Sequence, residues 1–179
     1  MTHYALTVVG RDRPGIVSEV TEILYQLGCN IADSSCSILG GQFAMILILS
    51  HPELSSKDAL SEAFAPLEER NLSVLVRTLK PGGEQRPDLY GEICMISVYG
   101  ADKPGIVFRV AKILGEHQIN ITDLNTKLIG SAERPVYVMM IEAVLPENKT
   151  VEEIASWMNQ VRQELEVDIS VRSITPVEL

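Results

Sequence analysis

The chain has 179 residues, of which 46% are hydrophobic and 22% charged, and its formal net charge is -9. This composition is ordinary for a packed globular protein, but the acidic balance argues against direct nucleic-acid binding, which relies on basic residues neutralising phosphates. No apolar stretch approaches the roughly 20 residues of a membrane helix, and the first residues lack a signal-peptide pattern. We therefore expect a cytoplasmic protein that neither enters a membrane nor binds nucleic acid directly.

Residues that serve catalysis or metal binding are sparse and scattered. The three cysteines are an odd number without paired spacing, and the three histidines are not spaced with them as zinc ligands are. Nucleophile-elbow, Walker and dinucleotide-binding motifs are all missing from the sequence. The sequence predicts reduced thiols, no metal site, no cofactor and no enzymatic activity.

The strongest pattern is an internal repeat with an offset of 90 residues. The segment "GRDRPGIV" at 10–17 returns as "GADKPGIV" at 100–107, and the apolar positions of the following helix keep the same offset. The stretch "KPGGEQRPDLYG" at 80–91 is rich in Pro and Gly, which neither helices nor strands tolerate well. We predict a first domain at 1–80, a linker at 81–91 and a second domain at 92–179.

The first half reads as six elements in chain order. "YALTVV" is typical of a strand, Pro14 to about Leu27 has helical spacing, and "NIADSSCSI" leads through a Gly-Gly turn into the apolar strand "FAMILIL". A second helix is expected from about Ser55, where the hydroxyl can cap it. The strand "LSVLVRTL" closes the unit. The second helix is predicted to bury three residues: Leu60, Phe64 and Leu67.

The second half repeats this order with a longer turn, "IGSAERP", and a capping-box spacing between Thr150 and Glu153. Strand, helix, strand, strand, helix, strand is the order of the split βαβ pair. The predicted fold class is therefore α+β, with two tandem ferredoxin-like βαββαβ domains. Each should form a four-stranded antiparallel sheet with two helices on one face.

The strand "FAMILIL" is apolar at every position, which predicts a central strand covered on both faces. The two helices of a unit can cover only one face of the sheet. The other half of the chain or a second copy must cover the other, since exposed apolar patches usually mark association. We expect a homodimer.

The repeated loop suggests a ligand site. Pro14 is expected at the first helical position, and Gly15 would let an anion approach the backbone amides and the positive end of the helix. Asn30 is expected beside that loop and can both donate and accept hydrogen bonds, while Asp12 offers an acceptor for an ammonium group. This combination suits an amino acid.

These segments resemble the start of ACT domains, small modules that bind amino acids. The resemblance rests on "GRDRPGIVSEVTEILYQLGCNI" and "GADKPGIVFRVAKILGEHQINI". Two such domains in tandem are most similar to the glycine cleavage system transcriptional repressor family. The resemblance implies a sensor of a small amino acid, with glycine as candidate, that controls a DNA-binding activator. It implies these ligand-binding residues: Asp12, Pro14, Gly15, Ile16, Asn30, Ile31, Asp102, Pro104, Gly105, Ile106, Asn120 and Ile121.

Other functions of similar modules fit less well. The opening also resembles the deformylase of formyltetrahydrofolate, but a second repeat stands where the hydrolase domain would be. A copper carrier would place paired cysteines in the first loop, and an RNA reader would place aromatic residues on basic central strands. One alternative stays open, a regulatory subunit that assembles with a metabolic enzyme and senses nothing. His117 replaces Leu27 of the first half and is expected to be a half-buried residue at a helix end.

Overall fold

The structure is a computed structural model that describes residues 2–52, 57–80, 91–131 and 133–174. The chain divides into two compact units, Met1–Pro87 and Asp88–Leu179, here called the first unit and the second unit. Residues 81–90 of the predicted linker lie outside the described residues, and its last residue, Gly91, is described. Its bounds therefore stay a prediction.

Each unit contains six elements in the predicted order. The first unit comprises β1 (Thr2–Arg11), α1 (Ile16–Gln26), β2 (Asn30–Leu39), β3 (Gln42–His51), α2 (Lys57–Glu68) and β4 (Leu72–Thr78). The second comprises β5 (Glu92–Gly100), α3 (Ile106–Glu116), β6 (Asn120–Ser131), β7 (Arg134–Leu145), α4 (Val151–Leu165) and β8 (Asp168–Ile174). The expected cap at Ser55 lies outside the described residues. Across the residues that are described, no helix is both long enough and apolar enough to span a membrane.

Both sheets are four-stranded and antiparallel, with the orders β2-β3-β1-β4 and β6-β7-β5-β8. The predicted α+β ferredoxin-like fold is confirmed, and so is the central position of the apolar strand β3. The strands β2 and β6 are sheet edges, and all ten residues of β2 are exposed. In the first unit an open groove runs between this edge strand and α1.

The helices cover one face of each sheet. Phe43, Met45, Leu47 and Leu49 of β3 point to this face and are buried with Leu60, Phe64 and Leu67 of α2, as predicted. Ile46, on the opposite face of β3, is 52% exposed. Within the unit this face is uncovered at Ile46, because alternate residues of a strand point to opposite faces. Its cover by the other half of the chain or by a second copy stays a prediction. The homodimer stays a prediction.

The second unit keeps the same core and confirms two local predictions. The Thr150 hydroxyl accepts a hydrogen bond from the Glu153 amide, and the Glu153 carboxylate accepts one from the Thr150 amide, which completes the capping box of α4. His117 is the half-buried C-terminal cap of α3. Its ring also stacks on Trp157, with 3.5 Å between the ring centroids, a contact that the sequence pattern did not predict.

The longer turn of the second unit extends its hairpin. Strands β6 and β7 are paired as far as Ser131 and Arg134, so most of the additional residues lengthen the antiparallel ladder. In the first unit the ladder ends at Leu39 and Gln42. The described residues of the added pairs do not belong to the buried core of the second unit.

Candidate functional site

The loop between β1 and α1 is held in place by its backbone. The Asp12 amide donates a hydrogen bond to the Gly41 carbonyl in the β2–β3 turn, at 2.9 Å. Gly15 has φ 95° and is the N-terminal cap of α1, which begins at Ile16. The expectation that Pro14 is the first helical residue is therefore wrong. The left-handed backbone explains the glycine without any need for a ligand to come close.

The same glycine leaves the start of α1 without a side-chain cap. Gly15 makes no side-chain cap hydrogen bond, and neither does Gly105 at the start of α3, which also has φ 95°. A helix N-terminus presents unpaired amides and a partial positive charge, which together suit an anion. Helix α4 contrasts with both, because Thr150 and Glu153 occupy its terminal amides. The starts of α1 and α3 are therefore both open to a carboxylate.

The first loop opens onto a cleft, here called the first cleft, of about 680 Å³ between α1 and the edge strand β2. The buried side chains of Ile16 and Phe43 line it, and Asp12 contributes a carboxylate. Its size is within the range of small-ligand pockets, although it is an open groove. The remaining lining residues are Arg13, Gly15, Val17, Ser18, Thr21, Cys36 and Ile38.

A group of charges lies at the start of α1. Arg13 donates two hydrogen bonds to the Glu19 carboxylate, at 2.6 and 2.8 Å, and Arg70 donates a third at 3.3 Å. The hydrogen bond from Arg13 lowers the pKa of Glu19 to about 2, with smaller contributions from the charges of both arginines. Two cations therefore face one anion, and the net positive charge adds to that of the helix end.

The second loop lies beside a smaller cleft, here called the second cleft, of about 470 Å³. Lys103 extends to the end of α4, where its ammonium donates to the Leu165 carbonyl at 2.8 Å and to the Glu166 carboxylate at 2.7 Å. The charged hydrogen bond from Lys103 lowers the pKa of Glu166. The lining residues are Asp102, Lys103, Gly105, Ile106, Val107, Phe108 and Tyr137.

Tyr137 gives the second cleft a polar wall. Burial raises the pKa of the Tyr137 hydroxyl and the negative charge of Asp102 raises it further, while a hydrogen bond with the Thr126 side chain opposes both. Phe43 occupies the matching position in the first unit, because it pairs with Gly10 as Tyr137 pairs with Gly100. The second cleft therefore has a hydroxyl group where the first cleft has only an apolar ring.

Asn30 does not lie beside the loop of its own unit. It pairs with Ser50 on β3, which pairs with His3 on β1, whereas the loop follows the other end of β1, where Gly10 pairs with Phe43. Seven residue positions along β1 separate these ends, which is roughly 24 Å at the rise of a strand. The expected proximity of Asn30 and the loop is therefore wrong within the unit.

The second unit has the same arrangement. Asn120 pairs with Val144, which pairs with Ile93 near the start of β5, far from the loop that follows Gly100. Ile31 and Ile121 follow the two asparagines on the edge strands, also away from the loops. Each unit therefore brings together its loop aspartate, glycine and isoleucine, but leaves the asparagine and the second isoleucine at the opposite end of the sheet.

Sequence reasoning did not identify several residues of the first cleft. Ser18, Thr21 and Cys36 line it together with Phe43. For the first three, the sequence offered an indication: each differs in type from the residue 90 positions later. With the 90-residue offset, each residue near the first loop can be compared with its counterpart near the second loop. Their proximity to the loop depends on the groove at the sheet edge, which only the fold reveals.

The comparisons with known proteins agree with this architecture. Family models described as "ACT domain" match residues 3–76 and 95–156, one in each unit. The chain belongs to the ACT domain family and consists of two such domains in tandem.

Among its relatives, the chain is 33% identical to the "Glycine cleavage system transcriptional repressor" of Escherichia coli K12 over 125 residues. The match covers 68% of this chain and 63% of that protein, so the chain spans less than two thirds of the curated relative. A crystal structure of an unknown protein from Galdieria sulphuraria is 26% identical, with TM-score 0.79, and the match covers 97% of this chain and 99% of that one.

A crystal structure of a candidate glycine cleavage system transcriptional repressor has TM-score 0.70 and 24% identity, with 98% of both chains covered. At this identity the likeness shows the fold alone. Both crystal structures match nearly the whole chain, so the two-domain fold recurs in other proteins.

Proposed function

We propose that the protein is a regulator that senses a small amino acid, with glycine as the first candidate, and controls a protein partner such as a DNA-binding transcriptional activator. The observation that carries the proposal is the uncapped start of α1, where Gly15 and Asp12 face one cleft. The terminal amides suit an α-carboxylate, and the Asp12 carboxylate suits an α-ammonium. The similarity to a transcriptional repressor supports the regulatory role.

A regulatory role requires the ligand to change the surface that the protein presents to its partner. The amino acid must bind two arrangements of the protein with different affinities, because a ligand without such a difference shifts no equilibrium. We expect the affinity for the activator to change when the amino acid is saturating. An affinity that stays the same with and without the ligand would reject the coupling.

The alternative is an assembly subunit that binds no amino acid. The exposure of Ile46, at 52%, and of Leu75, at 59%, favours association through the helix-free face of the first sheet. Association and sensing are compatible, so this exposure does not decide between them. Only the response to amino acids distinguishes the two proposals.

The first experiment is a thermal-unfolding panel of the whole chain against each of the common amino acids at millimolar concentration. A ligand present at 100 times its dissociation constant stabilises the folded state by about 2.7 kcal/mol. That stabilisation raises the unfolding midpoint by several degrees in a protein of this size. A selective rise with one amino acid supports a sensor, and the absence of any rise supports the assembly subunit.

Matched variants locate the response. Asp12→Ala removes the proposed ammonium acceptor and should abolish the rise in midpoint, whereas Glu62→Ala, on the exposed side of α2, should leave it unchanged. Asn30→Ala tests the far end of the edge strand. One small amino acid cannot span roughly 24 Å of strand, so a response that needs both Asp12 and Asn30 requires a second copy of the chain.

We also propose that the chain forms a homodimer. The exposed apolar residues on the helix-free face of the first sheet support this, and a C2 dimer would use the same patch on both copies. Light scattering at micromolar concentration should give twice the 19.7 kDa mass of the chain. Elution at the monomer mass would contradict the dimer. It would also exclude a site in which Asp12 of one copy and Asn30 of another bind the same ligand.

A further inference from the structure

The two loops have the same glycine conformation, but the side chains around them differ. Besides Arg13 and Lys103, four pairs of differing residues bear on ligand binding. The pairs follow from the 90-residue offset and, for the aromatic pair, from the strand register. Within each pair the first-unit residue is given first: Ser18 and Phe108, Thr21 and Ala111, Cys36 and Thr126, Phe43 and Tyr137.

Two of these differences reduce the space in the second cleft. Phe108 lines it and is 67% exposed, so its ring lies at the mouth where the first cleft has the much smaller Ser18. Tyr137 adds a hydroxyl group to the wall that Phe43 forms in the first cleft. The cavity volumes follow the same order, about 680 Å³ in the first cleft and about 470 Å³ in the second.

The same tyrosine also changes the polarity of the second cleft. Burial raises the pKa of the Tyr137 hydroxyl, the negative charge of Asp102 raises it further, and the hydroxyl is hydrogen-bonded to Thr126. Phe43 places no polar group in the first cleft.

The charges near the starts of α1 and α3 also favour ligand binding in the first cleft. In the first unit Arg13 and Arg70 surround Glu19, which leaves one positive charge in excess. In the second unit Lys103 is paired with Glu166 and Arg109 with Glu164, so these charges cancel. A carboxylate is therefore attracted more strongly to the start of α1 than to the start of α3.

We propose that the first cleft alone binds the amino acid, and that Phe108 and Tyr137 close the second cleft to it. Each chain then holds one ligand, and the second unit is a structural copy of the sensing unit. This inference rests on the proposed function, since it assigns the amino acid to one of two candidate sites. It makes Ser18 and Phe43 the residues that permit binding.

A thiol already present in the first cleft provides the test. Cys36 is exposed and lines this cleft. Burial raises the pKa of Cys29, and burial together with the charge of Glu92 raises the pKa of Cys94 to about 11. Cys36 is therefore expected to react first with methyl methanethiosulfonate, because the thiolate is the nucleophile. Thr126→Cys adds a second reporter at the matching position of the second unit, on β6 next to Tyr137.

The experiment compares the modification rates of both thiols in the Thr126→Cys protein, read by peptide mass spectrometry. The probe is an equimolar mixture of the common amino acids without cysteine, at millimolar concentration. Protection scales as one plus the ratio of ligand to dissociation constant, so a tenfold excess over that constant slows modification about elevenfold. We expect this slowing at Cys36 and an unchanged rate at the introduced thiol.

Every other outcome is decisive. Protection of both thiols, or of the introduced thiol alone, overturns the assignment to the first cleft while the sensor function stands. Protection of neither overturns the sensor function itself, and the assignment with it.

A further variant tests the two residues that close the second cleft. Phe108→Ser combined with Tyr137→Phe, in the Thr126→Cys protein, should extend protection to the introduced thiol. Far-ultraviolet circular dichroism of this variant checks that it is folded. If the folded variant still shows protection at Cys36 only, Phe108 and Tyr137 are not what closes the second cleft.

Discussion

The two loops share a backbone conformation and differ in the contacts that hold their basic residue. Gly15 and Gly105 both have φ 95° at the start of a helix. Arg13 pairs with Glu19, six residues later in the chain, whereas Lys103 pairs with Glu166, 63 residues later. The left-handed backbone therefore requires glycine in both loops, whereas the basic residue of each loop can form its ion pair with a carboxylate in a different part of the unit. Changes at the buried helix positions and at the loop glycines should have similar effects in both units, and changes in the charges should not.

The largest expected effect comes from the cores, which the two units share. Phe64 on α2 and Met158 on α4 occupy matching positions and are 0% and 1% exposed. Phe64→Ala should destabilise the first unit by about 3–5 kcal/mol and Met158→Ala the second by about 2–5 kcal/mol, through lost burial and a cavity. Urea unfolding followed by circular dichroism measures both changes.

Trp157 assigns these losses to a unit, because it is the one tryptophan of the chain and lies in the second unit. Met158→Ala should shift the fluorescence transition directly. The control Glu62→Ala, at an exposed position, should change stability by no more than about 0.5 kcal/mol. A Phe64→Ala protein as stable as this control would mean that α2 does not pack as described.

The next largest effect is the loss of stability on replacing Gly10 or Gly100 by alanine, and it should differ between the units. A Cβ atom at Gly10 would lie 2.6 Å from the backbone carbonyl oxygen of Asn71, whereas one at Gly100 would meet a side-chain carbon of Val167 at 2.7 Å. A side chain can rotate away, but the carbonyl oxygen of Asn71, in the turn that leads directly into β4, is part of the backbone and cannot do so easily. Gly10→Ala should cost about 1–3 kcal/mol, and Gly100→Ala should cost less. Equal losses in urea unfolding would contradict this difference.

A third effect should be equal in the two units. Gly15→Ala and Gly105→Ala each force alanine into the left-handed region, which costs about 1–2 kcal/mol. Gly115→Ala is the control, because a Cβ there meets nothing within 4 Å and the residue lies inside α3, where alanine is favoured by up to about 1 kcal/mol. If all three variants changed stability alike, the positive φ would not be the reason for the loop glycines.

These comparisons show which features the sequence could predict. The element order followed from apolar periodicity, and the capping box of α4 followed from Thr150 and Glu153, because both are local patterns. Gly15 was misassigned because Pro-Gly also suits the first turn of a helix, and only the backbone angle distinguishes the two. Asn30 was misplaced for a topological reason. The 11 residues of α1 carry the chain about 16 Å back along the sheet before β2 begins.

The smallest expected effect concerns the charges and should appear in acid. The hydrogen bond from Arg13 lowers the pKa of Glu19 from 4.5 to about 2. The folded state therefore binds this proton more weakly than the unfolded chain does, so the stabilisation is complete above pH 4.5 and is lost as the pH falls towards 2. We expect wild type to be more stable than Glu19→Gln at neutral pH, and the gap to close between pH 4.5 and 2.

Urea midpoints measured at several pH values give this gap directly. Glu22→Gln removes an exposed carboxyl from the same helix and should leave a gap that is small and changes less with pH. The comparison also bears on the ligand, because the pair of Arg13 and Glu19 lies at the start of α1. If Glu19→Gln behaves like Glu22→Gln, the arginines do not hold Glu19 in solution. The excess positive charge that distinguishes the first cleft from the second would then need another source.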